Sequence, residues 1–260
     1  MAPYGRSVTH ADKLNDPFDP PFYFITDFNK DYQALIKYVQ QYHPDNLQRF
    51  KKHLPKKNWE NFLTQIEEYF NKCRNNAFIF STCAIDNNQE HPKDSLYMWG
   101  HYGNGHRGIA IEFDTNLLKR AVLKSLGKKV TEETDPLFKI CYQSDQPKIT
   151  CRTIYQFVIN NESSEKTELF DTIQFLLSTK SSVWKKENEW RFILSNNKSK
   201  RKIGVALEDD TITALFLGCR TEDHVKDDLI FEIQHKFPNA KIYKSKIAQD
   251  NFALVFEPLF

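Results

Sequence analysis

Hydrophobic positions in the first third of the chain recur at helical spacing. Apolar and aromatic residues three and four positions apart predict helices over Tyr32–Phe50 and Trp59–Arg74, separated by Pro55, which breaks the run. Residues 1–30 contain several prolines among polar residues, so we expect an irregular but ordered lead-in. Residues 31–75 are therefore interpreted as a helical insertion.

Beyond residue 76, short alternating runs predict strands between further helical runs. The predicted strands cover 77–82, 108–113, 137–143, 189–194, 202–207, 211–218, 241–246 and 253–257, and the helices 117–127, 150–160, 166–182 and 222–236. The irregular spacing of the strands does not fit a regular βαβ array. We predict one α+β domain over residues 1–260, with a mixed or antiparallel central sheet flanked by helices.

Charge and composition narrow the function classes. The chain has 36 basic and 34 acidic residues, a formal charge of +2, and a mean hydropathy of -0.61. This balance does not indicate nucleic-acid binding, which stays open as a partner class, and no apolar run reaches the ~20 residues of a membrane span. Five cysteines without a CxxC pair predict reduced thiols, no metal site and a cytoplasmic location. The oligomeric state stays open.

The segment LYMWGHYGNGHRGIAIEFD is the densest in site chemistry. Trp99, Tyr102 and His106 lie at i, i+3 and i+7, so a helix would bring an indole, a phenol and an imidazole onto one face. Trp99 on an apolar face is most simply a core residue. His106 and Arg107 between glycines form a titratable, cationic pair at a loop tip, which suits binding of a planar polar ligand.

The same segment spells GxGxxG at Gly103, Gly105 and Gly108. That dinucleotide-binding motif requires a preceding strand and a following helix, whose N-terminus faces the phosphates. Here a helical run precedes the glycines and IAIEF follows them. A Rossmann site is therefore not expected.

A second candidate group lies near residue 190. Glu187 and Glu189 are two residues apart at a strand start, so both carboxylates should share a face with Arg191. Paired carboxylates can divide acid and base roles, and Trp184 and Trp190 would shield them from water. The alternative is a surface charge cluster with Arg191 as counter-ion.

Asn15 and Asp16 lie beside a proline in LNDPFD, near Asp19. Their side chains either form Asx turns with their own backbone or line a ligand site. We keep both as candidate ligand-binding residues. We also expect Tyr102, His106, Arg107 and at least one of the two glutamates to converge on a single cleft.

Several blocks in order resemble the bacterial domain-of-unknown-function family 2971. They are LNDPFD, FSTC, WGHYGNGHRGIAIEFD, WKKENEWRFIL and the tail from ITALFLG to ALVF, so the resemblance covers nearly the whole chain. The family usually has a strand and helix with a Tyr-Arg element ahead of the first block. Here only MAPYGRSVTHADK precedes that block, so we expect either a shortened variant or a loose replacement of the element by Tyr4 and Arg6.

The order of Phe80-Ser81-Thr82 and a late Glu187-x-Glu189 is similar to the ADP-ribosyltransferase-like superfamily. That resemblance implies a split mixed sheet that binds NAD as substrate, with a basic or His residue on an early strand, Ser81 on a second strand and a late glutamate at the nicotinamide ribose. It implies a transferase or NAD glycohydrolase, of toxin or antiviral-defence type. We prefer Glu189 over Glu187 as the catalytic carboxylate, because it adjoins Trp190 and would share a strand face with Arg191. No cofactor beyond this substrate is indicated.

Two other classes stay open. A non-catalytic module would recognise a nucleotide or peptide with Trp99, Tyr102, His106 and Arg107. A metal-independent nuclease would use His106 as base and Arg107 at the phosphate.

Overall fold

The computed structural model describes residues 9–11, 14, 16, 18–20, 26–84, 91–127, 135–159, 167–195 and 204–259. Over these ranges helices and strands are interspersed, and the strands form antiparallel and mixed sheets. The predicted α+β class is therefore confirmed.

The described strands are divided between two larger sheets and one small sheet. They are β1 (Thr9–His10), β2 (Ala77–Cys83), β3 (Ile109–Phe113), β4 (Leu137–Lys139), β5 (Cys141–Gln143), β6 (Thr179–Ser181), β7 (Glu189–Ser195), β8 (Ile212–Leu217), β9 (Lys241–Ile247) and β10 (Leu254–Pro258). Sheet I has the order β1-β2-β7-β4 and is antiparallel. Sheet II has the order β10-β9-β8-β3, with β8 and β9 parallel and the outer pairs antiparallel. Strands β5 and β6 form a parallel pair.

The helices connect and cover these sheets. They are α1 (Tyr32–Tyr42), α2 (Leu47–His53), α3 (Trp59–Asn75), α4 (Leu96–His101), α5 (Thr115–Ser125), α6 (Cys151–Ile159), α7 (Thr167–Leu177) and α8 (Asp223–Lys236). Short 3₁₀ helices precede α2 and α3, and a longer one covers Ser182–Glu187.

Two predicted helices end earlier than their hydrophobic pattern suggested. The predicted helix over Tyr32–Phe50 is divided into α1 and α2, because Pro44 follows α1 and cannot continue its hydrogen bonding. The predicted helix over 166–182 ends at Leu177. The hydroxyls of Ser178 and Thr179 donate to the carbonyls of Gln174 and Phe175, both at 2.7 Å, and the chain continues into β6.

Two predicted strands also differ. The run 137–143 is divided into β4 and β5, which belong to different sheets. The Ile140 N–H still donates to the Glu189 carbonyl of β7 at 3.0 Å, whereas the Cys141 N–H donates to the Ser178 carbonyl beside β6 at 2.8 Å. The predicted strand 202–207 is wrong over its described part, 204–207, which has no strand pairing. Val205 and Leu207 instead pack from this loop against the core of sheet I, so their apolar character reflects burial rather than a strand.

The helical layer has its own core. Helices α1, α2, α3, α6 and α7 bury a shared set of apolar side chains, including Leu35, Phe50 and Ile154, each completely inaccessible to solvent. On α7, Ile173 packs against this core and also against the core under sheet I. The helical layer is thereby joined to the sheet.

Sheet I carries a different chemistry on each face. Residues directly opposite one another on β2 and β7 share a face. One face is apolar and packs Phe80 and Phe192 against α5. The other face is apolar at the start of β2, where Ile79 is opposite Ile193. Toward the end of β2 this face is polar, because Ser81 is opposite Arg191 and Cys83 is opposite Glu189. Strand pairing therefore gathers charge at one end of this sheet.

The segment after α4 forms a tight turn against sheet II. Ser95 caps α4, and Asn104, Gly105 and His106 all have positive φ before β3 begins. The His106 carbonyl accepts from the Arg220 N–H at 2.9 Å, which ties the turn to the segment after β8. The three glycines of the GxGxxG sequence thus follow a helix and precede a strand, the reverse of the dinucleotide-binding order.

Candidate functional site

A cleft of about 1010 Å³ lies between sheet I and sheet II. Strands β2 and β7 form one wall, and α4 and β3 form the other. Aromatic side chains contribute much of the lining, among them Phe80, Phe113, Trp190, Phe192 and Phe216. The cleft is at the upper end of the ~300–1,000 Å³ typical of sites for small molecules and cofactors.

The floor of the cleft holds a group of buried ionisable side chains, here called the charge cluster. Its members are Asp19, Lys180, Glu187, Glu189 and Arg191, all of which line the cleft and none of which is more than 6% exposed. Charges are buried only where partners compensate the lost hydration. The contacts within the cluster supply part of that compensation.

Arg191 holds one side of the cluster. Its Nε donates to Glu189 Oε1 at 2.7 Å and its Nη2 to Glu189 Oε2 at 3.2 Å, a bidentate pair. The same Nη2 donates to Asp19 Oδ2, and Nη1 donates to the Leu177 carbonyl at 2.9 Å. The guanidinium therefore fixes two carboxylates relative to the end of α7.

Lys180 holds the other side. Its Nζ lies 2.5 Å from Glu187 Oε2, 2.9 Å from Glu189 Oε2 and 3.5 Å from Asp19 Oδ2. The ammonium also lies 5.6 Å from the centre of the Trp184 ring, within the range of a cation–π contact. One cation thus bridges three carboxylates. Within the described ranges, no set of three or more His, Cys, Asp or Glu side chains is arranged to hold a metal.

Tyr102 connects the charge cluster with the opposite wall of the cleft. Its hydroxyl donates to Glu187 Oε1 at 2.5 Å, although the residue is 47% exposed and Glu187 is only 4% exposed. The phenol therefore reaches from the C-terminal end of α4 to a buried carboxylate. Glu187 is the carboxylate of the cluster that contacts this partly exposed side chain.

The electrostatics favour the charged forms of Glu189 and Lys180. Burial raises the pKa of Glu189, but Arg191 and Lys180 outweigh it and lower that pKa to about 2. Burial lowers the pKa of Lys180, and the surrounding carboxylates raise it above its ordinary value. Burial, followed by the nearby Glu189 and Glu187, raises the pKa of the Cys83 thiol to about 12. Cys83 is therefore a neutral thiol on the cleft wall rather than a nucleophile.

Six of the residues predicted from the sequence line the same cleft: Ser81, Trp99, Tyr102, Glu187, Glu189 and Arg191. Trp99 is buried, and its Nε1 donates to the Lys93 carbonyl at 2.7 Å, so it is also a core residue. Glu187 and Glu189 are not on one strand, because Asn188 between them is left-handed, with a φ of 43°. Both carboxylates nevertheless bind the same ammonium.

Other predicted residues lie elsewhere. His106 and Arg107 do not line the cleft, so the expected convergence holds for Tyr102 and the glutamates only. The left-handed turn carries the His106 ring onto Trp99, with ring centres 6.2 Å apart and planes 13° apart. Asp16 is also outside the lining; it accepts from the Phe18 N–H, an Asx-type contact, and from Trp184 Nε1 at 2.7 Å. Asn15 lies outside the described residues.

Two residues of the cluster were missed as site residues. Asp19 was noted only as a neighbour of Asn15 and Asp16, and Lys180 was assigned to a helix. A signal for Lys180 exists in the sequence, because it is the one charged residue between Asp171 and Lys185. A lone lysine in an uncharged run is a candidate for burial with a partner. No local pattern pairs Asp19 with Arg191.

The fold and site define an α+β protein with a large cleft between two sheets and a buried charge cluster at its floor. Residues 98–192 match the model of a family described as "Protein of unknown function (DUF2971)", so the family predicted from the motifs is confirmed over this segment. The segment includes Tyr102, Lys180 and the Glu187–Arg191 run, whereas Asp19 precedes it. Searches of curated proteins and of solved structures found no match to the chain. Among the described residues, no helix is long and apolar enough to cross a membrane.

Proposed function

We propose that the protein is an enzyme of ADP-ribosyltransferase-like type that binds NAD in the cleft and breaks its bond between nicotinamide and ribose. The observation that carries this proposal is the pair of buried carboxylates, Glu187 and Glu189, that line a cleft between two sheets. A carboxylate fixed beside a sugar stabilises the positive charge that develops as a glycosidic bond breaks.

The cleft suits a dinucleotide in size and lining. Its volume of about 1010 Å³ exceeds the need of a single small ring system. The partly exposed rings of Phe80 and Phe113 offer stacking surfaces for planar bases. Its position between two sheets agrees with the split sheet that the superfamily resemblance implies.

Glu187 is the better candidate for the catalytic carboxylate, in preference to Glu189. Both oxygens of Glu189 are occupied by Arg191 and Lys180, and its backbone N–H donates to the Tyr142 hydroxyl at 2.9 Å. Glu187 Oε1 is instead bonded to the partly exposed Tyr102 hydroxyl, which a ligand hydroxyl could replace. We therefore assign Glu189 the role of holding Lys180 and Arg191 in position.

The proposed reaction balances without a further cofactor. The bond between the ribose C1′ and the nicotinamide nitrogen breaks, and its electron pair leaves with nicotinamide. Glu187 stabilises the ribosyl oxocarbenium ion, which water or an acceptor hydroxyl then captures with loss of a proton to solvent. Hydrolysis would deplete NAD and arrest growth, the behaviour expected of a toxin or antiviral-defence protein.

The test is nicotinamide release from NAD by the wild type and by Glu187→Gln. We expect the substitution to lower the rate about 10²- to 10³-fold with little change in melting temperature, because it removes charge and keeps shape. Glu232→Gln, an exposed change on α8, is the matched control and should retain the wild-type rate. Absence of nicotinamide release by the wild type, or equal rates for wild type and Glu187→Gln, would contradict the proposal.

One observation favours a second candidate, a nucleotide-binding module without catalysis. Glu187 already accepts hydrogen bonds from Lys180 and Tyr102, as expected of a carboxylate that organises a binding site. In that case NAD would raise the melting temperature, by about 2.7 kcal/mol at a hundredfold excess over Kd, while no nicotinamide was released.

A further inference from the structure

The charge cluster does not balance its own charge. It contains three carboxylates, from Asp19, Glu187 and Glu189, and two cations, from Lys180 and Arg191, which leaves one excess negative charge among side chains no more than 6% exposed. An uncompensated charge in a buried site is costly unless something neutralises it.

The lysines elsewhere in the cleft do not supply that compensation. Lys93 and Lys119 also line it, but each pairs with a carboxylate of its own. Lys93 Nζ lies 2.9 Å from Asp94, and Lys119 Nζ lies 2.5 Å from Asp135. Among the residues that the structure describes, the excess charge therefore remains with the cluster.

Asp19 carries a second sign of an incomplete site. Its Oδ2 is bonded to Arg191 and lies near Lys180, but its Oδ1 is buried and has no hydrogen-bond partner among the described residues. The side chain is only 2% exposed and lines the cleft. A buried carboxylate oxygen without a donor is costly, and a donor on a bound ligand would remove that cost.

We infer that the charge cluster recognises a positively charged, hydrogen-bond-donating group of the ligand, with Asp19 as the residue that determines this specificity. The inference rests on the proposed function and deepens it: the site selects the oxidised nicotinamide ring, a cation with a carboxamide donor, over the neutral reduced ring. NAD⁺ and NADH differ little in shape, so the discrimination comes from charge.

The experiment compares equilibrium affinities for NAD⁺, presented as its uncleavable carbocyclic-ribose analogue, and for NADH in the wild type and in Asp19→Asn, which retains an acceptor for Arg191. The wild type should bind NAD⁺ at least about tenfold more tightly, and Asp19→Asn should reduce the ratio to about two- or threefold. Asp227→Asn, an exposed change on α8 outside the cleft lining, should leave the wild-type ratio unchanged. Equal affinities in the wild type would overturn the inference and indicate that a proton neutralises the cluster. A full preference retained in Asp19→Asn would overturn the role of Asp19.

A smaller ligand pair makes the test independent of variant folding and of nucleotide binding. The cation 1-methylnicotinamide should bind the wild type more tightly than neutral nicotinamide, and no preference would contradict the inference. Nicotinamide release is measured on the same samples. A preference for the cationic ligand without cleavage upholds this inference and rejects the proposed function, whereas cleavage without a preference does the reverse.

Discussion

Arg191 shows how a single side chain organises the floor of the cleft. Its guanidinium is inaccessible to solvent, and its donors reach Glu189, Asp19 and the Leu177 carbonyl. A lysine has one charged nitrogen and cannot reproduce this planar set of donors. A positive charge alone at position 191 would therefore not hold Glu189, Asp19 and the Leu177 carbonyl in their observed arrangement.

At this position we predict that Arg191→Lys destabilises the protein by about 3 to 5 kcal/mol, the range for breaking a buried ion pair. The measurement is the free energy of unfolding in urea. Arg220→Lys, at an exposed position after β8, is the matched control and should change stability by less than about 0.5 kcal/mol. Similar values for the two variants would show that Arg191 is not a structural centre.

Glu189 gives the cluster a defined pH dependence. Despite its burial, Arg191 and Lys180 lower its pKa from 4.5 to about 2. A carboxyl group whose pKa is lower in the folded state stabilises the fold above its unfolded pKa. That stabilisation is lost as the pH falls from about 4.5 through about 2.

We therefore expect the wild type to be more stable than Glu189→Gln above pH 4.5, and the difference to shrink as the pH falls toward 2. Unfolding free energies of both proteins, measured across this window, provide the test. A difference that stays constant throughout it would mean that the Glu189 charge does not stabilise the fold.

At the scale of elements, the sequence predicts what is local. The spacing of hydrophobic residues alone predicts the bounds of the following elements to within a few residues: α3, α5, α8, β2, β7, β8 and β9. The strand pattern also places Glu189 and Arg191 on the same face, because they are two residues apart on one strand. These predictions succeed because each depends on neighbouring residues.

The predictions that fail depend on distant contacts or on the backbone of turns. Asp19 joins the cluster only because the chain before α1 packs beside β7, which no local pattern shows. His106 was expected beside Tyr102 because helical spacing was extended past residue 101. Left-handed residues at 104–106 interrupt that spacing and turn the imidazole onto Trp99.

The turn after α4 also allows a prediction about close packing. A β-carbon at Gly103 would lie 2.6 Å from the Trp99 ring and 2.8 Å from its backbone oxygen, whereas one at Gly100 would meet nothing within 4 Å. Gly103→Ala should therefore destabilise by about 1 to 3 kcal/mol. It should also weaken ligand binding, because Tyr102 is its neighbour.

Gly100→Ala is the matched control on the same helix. It should be neutral or stabilise by up to about 1 kcal/mol, since alanine favours helix. Melting temperatures of the two variants provide the comparison. Equal destabilisation by both would contradict the packing of the turn against Trp99.

At the scale of the whole molecule, the helical layer and sheet I are joined through α7. Ile173 contacts both cores, and α7 ends at Leu177, whose carbonyl accepts from Arg191. Disruption of the helical core should therefore also destabilise the cleft. Trp59 reports on the helical core, and Trp99, Trp184 and Trp190 report on the surroundings of the charge cluster.

Phe50→Ala should lower the free energy of unfolding by about 3 to 5 kcal/mol, because this side chain is fully buried in the helical core. Tryptophan fluorescence and far-ultraviolet circular dichroism should give the same shifted midpoint. Phe231→Ala, at an exposed position on α8, should have little effect. Separate transitions in Phe50→Ala would mean that the two cores unfold independently.

The central claim is that the cleft between the two sheets binds NAD with its ribose at Glu187. The most direct measurement is a crystal structure of the Glu187→Gln variant soaked with NAD. The account predicts nicotinamide-nucleotide density between β2, β7 and β3, with a ribose hydroxyl in place of the Tyr102 hydroxyl beside residue 187. Density for the nucleotide outside this cleft, or an empty cleft at saturating NAD, would contradict it.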